Sequence, residues 1–250
     1  MAPHSFLKAL LAAAIMVGPT AFTAAANAQP AAMQQPTTRT AFERFRYAFF
    51  EDPDSARDFL DTRTLTELAG ADRAKAERML IDFLPDARAV IGLGLLRSHK
   101  AEPKLTQLFR AASRRQRAAA HDRERVADPL ALIYLSKALW QVDPDPRWPA
   151  ALIKVLTTGE AIERQDAAMA LGIVHERTAA RALTKALDDT EPLVRHHAAK
   201  SLLAIYGLPA PDLADTQNMV YRVMSEDAER RAGGKQDILA AIAGRKISAC

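Results

Sequence analysis

The sequence contains a single cysteine, Cys250, so no disulfide within the chain can hold the fold together. In an oxidising compartment a leftover thiol could pair with another molecule, but a terminal cysteine without a function is the simpler interpretation. Metal sites built from paired cysteines are excluded for the same reason. The sequence also lacks a Gly-rich phosphate loop, a GxSxG turn and an HExxH helix, which argues against the enzyme classes that depend on these motifs.

Glycine and aromatic residues are scarce, at 10 residues and 6% of the chain. Alanine, leucine and charged residues are abundant instead, and β-branched runs are few, which favours helices because these side chains lose little rotamer freedom there. Hydrophobic residues make up 49% and charged residues 26%, as is ordinary for a folded soluble protein. We therefore predict an all-α fold. The net charge of +4 is too small to indicate a nucleic-acid partner.

Residues 1–28 have the layout of a secretory signal peptide. Lys8 precedes an apolar run from Ala9 to Val17, and small residues stand at Ala26 and Ala28. We predict cleavage after Ala28 and a periplasmic or secreted location. The alternative is an uncleaved membrane anchor, but the apolar run is well short of the about 20 residues that a spanning helix needs. No cysteine lies near this site, so lipid attachment there is not supported.

The rest of the sequence contains a repeat unit of about thirty residues, which consists of an apolar helix, a short polar turn and a second apolar helix. Four imperfect copies predict an α-solenoid of stacked antiparallel helix pairs, about four to five units long, because a narrow apolar stripe must be buried against neighbouring units. An insertion between Ala111 and Asp128 lengthens one copy. The equivalent leucines are Leu93, Leu139, Leu171 and Leu202 in the first helices, and Leu105, Leu152 and Leu183 in the second helices.

The repeats suggest a division of the chain into five parts. Terminal units are expected to be atypical, because the open ends of a stacked array must not be apolar. The predicted parts are a signal peptide (1–28), a flexible linker (29–40), an N-terminal helical capping unit (41–84), the repeats (85–207), and a C-terminal helical capping unit with a tail (208–250).

The best-preserved copy is DDTEPLVRHHAAKSLL, residues 188–203, an acidic turn followed by Val-Arg, Ala-Ala and Leu. It resembles the HEAT-like repeat family, including the short form named after phycobilisome lyases. The repeat pattern is matched closely over residues 85–207 and more loosely over residues 54–244. The Val-Arg element of the family is present at Val194-Arg195. One unit earlier the equivalent residues are Glu163-Arg164, and the two units before that lack the arginine. By analogy, the resemblance implies an extended protein-binding surface.

The adjacent His196 and His197 raise the hypothesis of a metal centre. Some HEAT-like proteins, the deoxyhypusine hydroxylases among them, hold two irons with His-Glu pairs from several units. Here His197 stands where the Glu is expected, and the equivalent pair one unit earlier is Gln165-Asp166. Adjacent helical residues point about 100° apart, whereas two ligands on one helix need i,i+3 or i,i+4 spacing. We therefore predict no metal or cofactor, and expect His196 to face away from the apolar stripe.

The pair His175-Glu176 places a base next to an acid and could suggest proton transfer. It falls in a turn between helices, where polar residues are expected, and the repeat places no nucleophile near it. We predict no catalytic residue here. A metal-dependent enzyme using His196 and His197 is kept as a minor alternative.

The strongest charge anomaly is an arginine stripe between residues 110 and 125. Arg110, Arg114 and Arg117 share one helical face, together with His121, if the second helix of that unit continues through the insertion. Such a stripe could contact anionic lipid, a phosphorylated glycan or an acidic protein, although a charge run is most often a solvated surface.

Further basic residues recur in later units. Lys154 and Lys185 occupy equivalent positions of successive second helices, and Arg181 lies one turn before Lys185. Second helices of solenoids usually line the concave surface, so these residues predict a basic partner-binding surface there.

Together these patterns predict an exported, non-enzymatic repeat protein that binds another protein as a scaffold or adaptor in the bacterial periplasm. The alternative is an envelope-associated module that docks on anionic lipid or glycan through the arginine stripe. Neither a nucleic-acid partner nor a transmembrane helix in the mature chain is expected. The sequence does not identify the partner.

Overall fold

The computed structural model describes residues 39–52, 60–119, 129–174, 176–209, 211 and 215–245, except the side chains of residues 116–119, 129 and 177. The predicted signal peptide, most of the linker, His121, His175 and Cys250 lie outside these residues.

All regular structure in the described part is helical, which confirms the all-α prediction. None of these helices is long and apolar enough to cross a lipid bilayer. The helices are α1 (Ala41–Arg46, continued by a π-helical turn, Tyr47–Glu51), α2 (Arg63–Thr66), α3 (Gly70–Asp82), α4 (Ala87–Leu95), α5 (Glu102–Ala119), α6 (Pro129–Val142), α7 (Arg147–Thr158), α8 (Ala161–Val174), α9 (Arg177–Ala186), α10 (Pro192–Ile205), α11 (Met219–Val223) and α12 (Ala228–Ile242).

Local sequence signals set the starts of several helices. At α1 the backbone N–H of Glu43 donates to Thr40 Oγ1 at 3.2 Å, and the Glu43 carboxylate accepts from the Thr40 N–H at 2.8 Å. Asp86 and Asp227 cap α4 and α12, and Pro192 opens α10, where its missing N–H costs nothing. Each side-chain cap satisfies a donor of the first turn and contributes about 1 kcal/mol.

The leucines that mark the repeats form the core. Leu93, Leu139, Leu171 and Leu202 of the first helices are at most 1% exposed, and Leu105, Leu152 and Leu183 of the second helices are fully buried. Full burial of a leucine side chain stabilises the fold by about 2 kcal/mol relative to exposure. The predicted register of the repeats is therefore confirmed by burial.

The helix pairing differs from the predicted units. Each second helix packs against the first helix that follows it, α3 on α4, α5 on α6, α7 on α8 and α9 on α10, and α7 also packs closely against α6, its partner in the predicted unit. By contrast, α8 and α9, which the sequence pattern placed in one unit, pack less closely. For α9 the closer hairpin is thus second helix, turn, first helix, whereas α7 packs closely against the helices on both sides of it in the sequence. The period of the sequence is the same whether a unit begins with its first or its second helix. The sequence pattern alone therefore could not show which two helices form a hairpin.

The first helices also pack side by side in a continuous row, α4 on α6, α6 on α8 and α8 on α10, whereas among the second helices α7 and α9 are the closest neighbours. The expectation that the second helices line a concave surface stays a prediction.

Two glycines explain the close approach within this row. A Cβ on Gly94 of α4 would lie 2.7 Å from the Cα of Ala138 on α6, and a Cβ on Gly172 of α8 would lie 2.4 Å from Ser201 Oγ on α10. Non-bonded atoms do not approach so closely, so both positions need a residue without a Cβ. Trp140 stands at the equivalent position of α6, and α6 and α8 pack less closely than α8 and α10.

Different elements cover the two ends of the row. At the N-terminal end a phenylalanine cluster joins α1 and its π-helical turn to the end of α3, with ring centroids 5.0 Å apart for both Phe45–Phe49 and Phe50–Phe83. At the other end α11 and α12 pack against each other and against α10. The central first helices therefore have neighbours on both sides.

Candidate functional site

Two arginines at equivalent positions of α8 and α10 tie consecutive turns together. Arg164 donates to both carboxylate oxygens of Asp189, each at 2.8 Å, and to the carbonyl of Gly159 at 3.0 Å. Arg195 donates to the carbonyls of Asp189 at 2.7 Å and Thr190 at 3.0 Å. Gly159 and Thr190 are equivalent turn residues, 31 positions apart. The recurring arginine therefore holds the turn that precedes its own helix in both units.

Arg195 also reaches the next hairpin. Its guanidinium donates to the carbonyls of Val223 at 2.8 Å, Met224 at 2.9 Å and Ser225 at 3.3 Å, at the end of α11. The residue is only 3% exposed, and burial lowers its pKa, with the nearby Arg231 charge adding to this effect. The guanidinium nevertheless keeps its proton, because arginine is not deprotonated in proteins. The Val-Arg element of the repeat thus has a structural role at this position.

The carboxylate of Asp189 is held ionised by the same network. Burial raises its pKa, but the hydrogen bonds from Arg164 and from the backbone N–H of Glu191 outweigh burial, so the pKa of Asp189 lies below its usual value. Sequence reasoning missed this pair. Its signal in the sequence was the acidic turn at Asp188 and Asp189, 25 residues after Arg164.

The structure corrects the expected position of His196, which is 8% exposed rather than facing solvent. The reason is that α10 packs against α8, α9, α11 and α12, so it buries more than one stripe. The ring of the half-buried His197 meets that of His196 edge-on at 4.9 Å between centroids. His196 Nδ1 is buried without a hydrogen-bond partner in the described residues. No group of three or more His, Cys, Asp or Glu side chains in that part is placed to hold a metal ion.

Both histidines prefer their neutral form. Burial lowers the pKa of His196, with a smaller effect of the Lys200 charge, and burial with the charges of His196 and Lys200 lowers the pKa of His197 to about 4. The unfolded chain binds a proton at each histidine near pH 6.5, whereas the folded chain does so only at lower pH. Stability is therefore lost as the pH falls from 6.5 towards 4.

We expect His197→Gln to reduce this acid sensitivity, because glutamine has no proton to gain. The measurement is urea unfolding at about pH 7 and pH 5, above the range in which Asp189 titrates. The difference in unfolding free energy between the two pH values should be smaller in the variant. His99→Gln, at an exposed histidine, is the control and should retain the wild-type difference. An unchanged difference in His197→Gln would contradict the assignment.

The predicted basic residues lie on α5, α7 and α9. Helix α5 continues to Ala119, which confirms that it runs past the last regular repeat position. Arg110 and Arg114 are exposed on it, and Arg117 lies in the same helix, with its side chain outside the described atoms. The remaining predicted residues, Lys154 on α7 and Arg181 and Lys185 on α9, are exposed.

These three second helices are strongly asymmetric in charge. Their only acidic residue is Glu102, whereas α8 of the first-helix row carries two acids and one base. The ten basic residues are Lys104, Arg110, Arg114, Arg115 and Arg117 on α5, Arg147 and Lys154 on α7, and Arg177, Arg181 and Lys185 on α9.

Six of these cations form no hydrogen bond or ion pair with any described residue, and we call them the cationic face: Arg110, Arg114, Arg115, Lys154, Arg181 and Lys185. By contrast, Lys104 donates to the carbonyl of Ile81 at 3.0 Å, and Arg147 pairs with Asp145 at 2.8 Å. Sequence reasoning missed Arg115, because it does not share the helical spacing of the stripe.

Packing connects the three helices of the cationic face. Helices α7 and α9 are neighbours, and the rings of Phe109 on α5 and Trp148 on α7 meet edge-on at 4.9 Å between centroids. The Trp148 indole N–H donates to the carbonyl of Asp143 at 3.0 Å, so this tryptophan is fixed by packing. Helix packing and this ring contact therefore hold α5, α7 and α9 next to one another.

Two cavities border the cationic face. An open cleft of about 430 Å³ lies between the ends of α7 and α9, with Lys185 in its wall. A more apolar pocket of about 270 Å³ lies between α4, α5 and α6, lined by residues such as Val90, Leu108 and Leu130, with Arg115 also in its wall. Each cavity thus has one cation of the cationic face in its wall, Lys185 in the cleft and Arg115 in the pocket.

Residues 149–231 match the family model of HEAT repeats. The match begins within α7 and ends within α12. It supports a HEAT-like repeat family and the α-solenoid architecture. The narrower resemblance to the phycobilisome-lyase form stays a prediction. No curated protein matches the chain.

Proposed function

We propose that this protein is an exported, non-enzymatic scaffold of the bacterial periplasm that holds an acidic segment of a partner protein on its cationic face. The observation that carries the proposal is the set of six exposed cations whose side chains form no hydrogen bond or ion pair with the described residues. HEAT repeats expose extended surfaces of stacked helices, which suits them to protein partners. The proposed export depends on the signal-peptide pattern of residues 1–28.

The charge argument favours a partner with several carboxylates. A single exposed ion pair contributes about 0–1 kcal/mol, so useful affinity requires several pairs formed together. The planar guanidinium groups of Arg110, Arg114, Arg115 and Arg181 can each bind a carboxylate through two hydrogen bonds. Such contacts also accelerate encounter and weaken with salt, because screening acts over about 8 Å at physiological ionic strength.

The test is photo-crosslinking in the periplasm from position 178, where the exposed Thr178 stands on α9 beside Arg181. We expect a specific crosslinked partner for the wild type, and loss of it in a variant with Lys154→Glu, Arg181→Glu and Lys185→Glu. The control reverses three exposed arginines outside the cationic face, Arg63, Arg97 and Arg230, and so matches the change in net charge. Absence of a specific crosslink, or equal loss in the control, would count against the scaffold.

A second candidate function is docking on anionic lipid or glycan of the cell envelope, favoured by Arg110, Arg114 and Arg117 on the single helix α5. Sedimentation with anionic and neutral vesicles at low and high salt separates the two functions, since electrostatic binding to lipid is lost at high salt. If Arg114→Glu with Arg117→Glu leaves vesicle binding unchanged, the docking function fails.

A further inference from the structure

The exposed apolar side chains are concentrated on the other layer of the molecule. Among the described residues six large hydrophobic side chains are exposed, and five of them lie on the first helices α4, α8 and α10. These five are Leu95, Ile162, Met169, Ile173 and Leu193, and the sixth is Tyr221 on α11. Scattered exposed apolar residues are ordinary, but a contiguous set indicates an interaction surface.

Helix α8 is the centre of this set. Ile162, Met169 and Ile173 are 44–56% exposed and recur at i, i+7 and i+11, so they share one helical face. Leu193 of α10, 50% exposed, stands at the position equivalent to Ile162. The corresponding residue of α6, Leu130, is half-buried. We call this exposed apolar face of α8, formed by Ile162, Met169 and Ile173, the apolar ridge.

Unpaired charges of both signs accompany the ridge. Asp166 lies on α8 between Ile162 and Met169, while Lys137 of α6 and Lys200 of α10 occupy the positions equivalent to Met169. None of the three charged side chains has a hydrogen bond or an ion pair with the part of the chain that the structure describes. Burial raises the pKa of Asp166 and lowers the pKa of Lys137, so both lose hydration without gaining a partner.

We propose that this ridge is a self-association surface, on which α8 of a second copy of the chain packs antiparallel about a two-fold axis. The midpoint between Ile162 and Ile173 lies between Asp166 and Met169. An antiparallel contact centred there places Ile162 of each copy against Ile173 of the other, and Asp166 of each copy level with Met169 of the other. Because Lys137 and Lys200 flank Met169, each Asp166 then lies near two lysines of the other copy.

Charge complementarity selects a second copy over another occupant. A purely acidic partner would match the lysines but leave Asp166 opposed by like charge, and a purely basic one would do the reverse. In a two-fold dimer both copies contribute the same surface. The acid on one copy can therefore pair with the base on the other copy. The cationic face lies on the opposite helix layer, and a dimer would therefore carry two such faces. This association does not depend on the proposed function of the cationic face.

The first test is sedimentation velocity of the purified protein from about 1 to 200 μM, a range that captures micromolar dissociation constants. We expect a concentration-dependent dimer. Ile162→Asp with Ile173→Asp should weaken dimerisation at least about tenfold, since each places a charge in an apolar contact. Tyr221→Asp is the matched control at an exposed apolar residue outside the ridge, and should leave the dimer unchanged. Circular dichroism checks that each variant is folded.

The second test exchanges the charges. Asp166→Lys alone should weaken the dimer, because it opposes Lys137 and Lys200, and adding Lys137→Glu with Lys200→Glu should restore it. A wild type that stays monomeric at every concentration overturns the proposal. So does a dimer that is unaffected by the paired aspartate substitutions. A monomer that binds an amphipathic peptide through the ridge would likewise show that the occupant is another protein.

Discussion

Replacing Arg195 with alanine is expected to lower the free energy of unfolding by about 4 kcal/mol, because several carbonyls lose a charged donor and each buried polar group left without a partner costs about 1–3 kcal/mol. The guanidinium donates to five backbone carbonyls, those of Asp189, Thr190, Val223, Met224 and Ser225. Without it, these carbonyls lose donors at the junction between two hairpins. The measurement is urea unfolding followed by circular dichroism.

The control for this substitution is Arg231→Ala. Arg231 donates to the carbonyls of Ser225 and Glu226 at the edge of the same junction, but it is more exposed, so the expected loss is about 1 kcal/mol. Arg195→Lys should recover little of the stability, because an ammonium group cannot span the five acceptors. A loss below about 1 kcal/mol in Arg195→Ala would show that Arg195 is not the link between the hairpins.

Replacing Gly172 with alanine is expected to cost about 3 kcal/mol, from overpacking and a displaced hydrogen bond. The new Cβ would lie 2.4 Å from Ser201 Oγ and 2.8 Å from Ser201 Cβ. Ser201 Oγ donates to the carbonyl of Ala168 at 2.8 Å, and this bond joins α10 to α8. The substitution therefore pushes the helices apart and weakens the bond between them.

Gly233→Ala is the matched control for Gly172→Ala. Gly233 also lies inside a helix, α12, but a Cβ there would meet only Arg222 Nη1 at 3.4 Å, an ordinary contact. Alanine should stabilise this site by up to about 1 kcal/mol, because it has the higher helix propensity. Adding Ser201→Gly to Gly172→Ala should recover part of the loss. Equal effects of Gly172→Ala and Gly233→Ala would mean that close packing of α8 on α10 is unimportant.

The candidate site was only partly predictable. The arginines and lysines of the second helices could be read from the sequence because their spacing places them on exposed helical faces. Arg115 was missed because it lies outside the helical spacing of the stripe, and no sequence pattern shows that a charge lacks a partner in the folded chain. The apolar ridge was missed for a related reason: Met169 and Ile173 look like core residues until the neighbours of α8 are known.

The sequence by itself determined the helical class, the period of the repeats and the leucines that form the core. These follow from the 3.6-residue helical period, which fixes where each side chain lies around the axis of its own helix. It did not determine which helices pair, because a repeat of fixed length can be divided in two phases. Only the tertiary structure decided that α9 pairs with α10, that Arg195 links two hairpins and that His196 is buried. Each depends on which neighbouring helix covers a face, and helical periodicity contains no information about the neighbours.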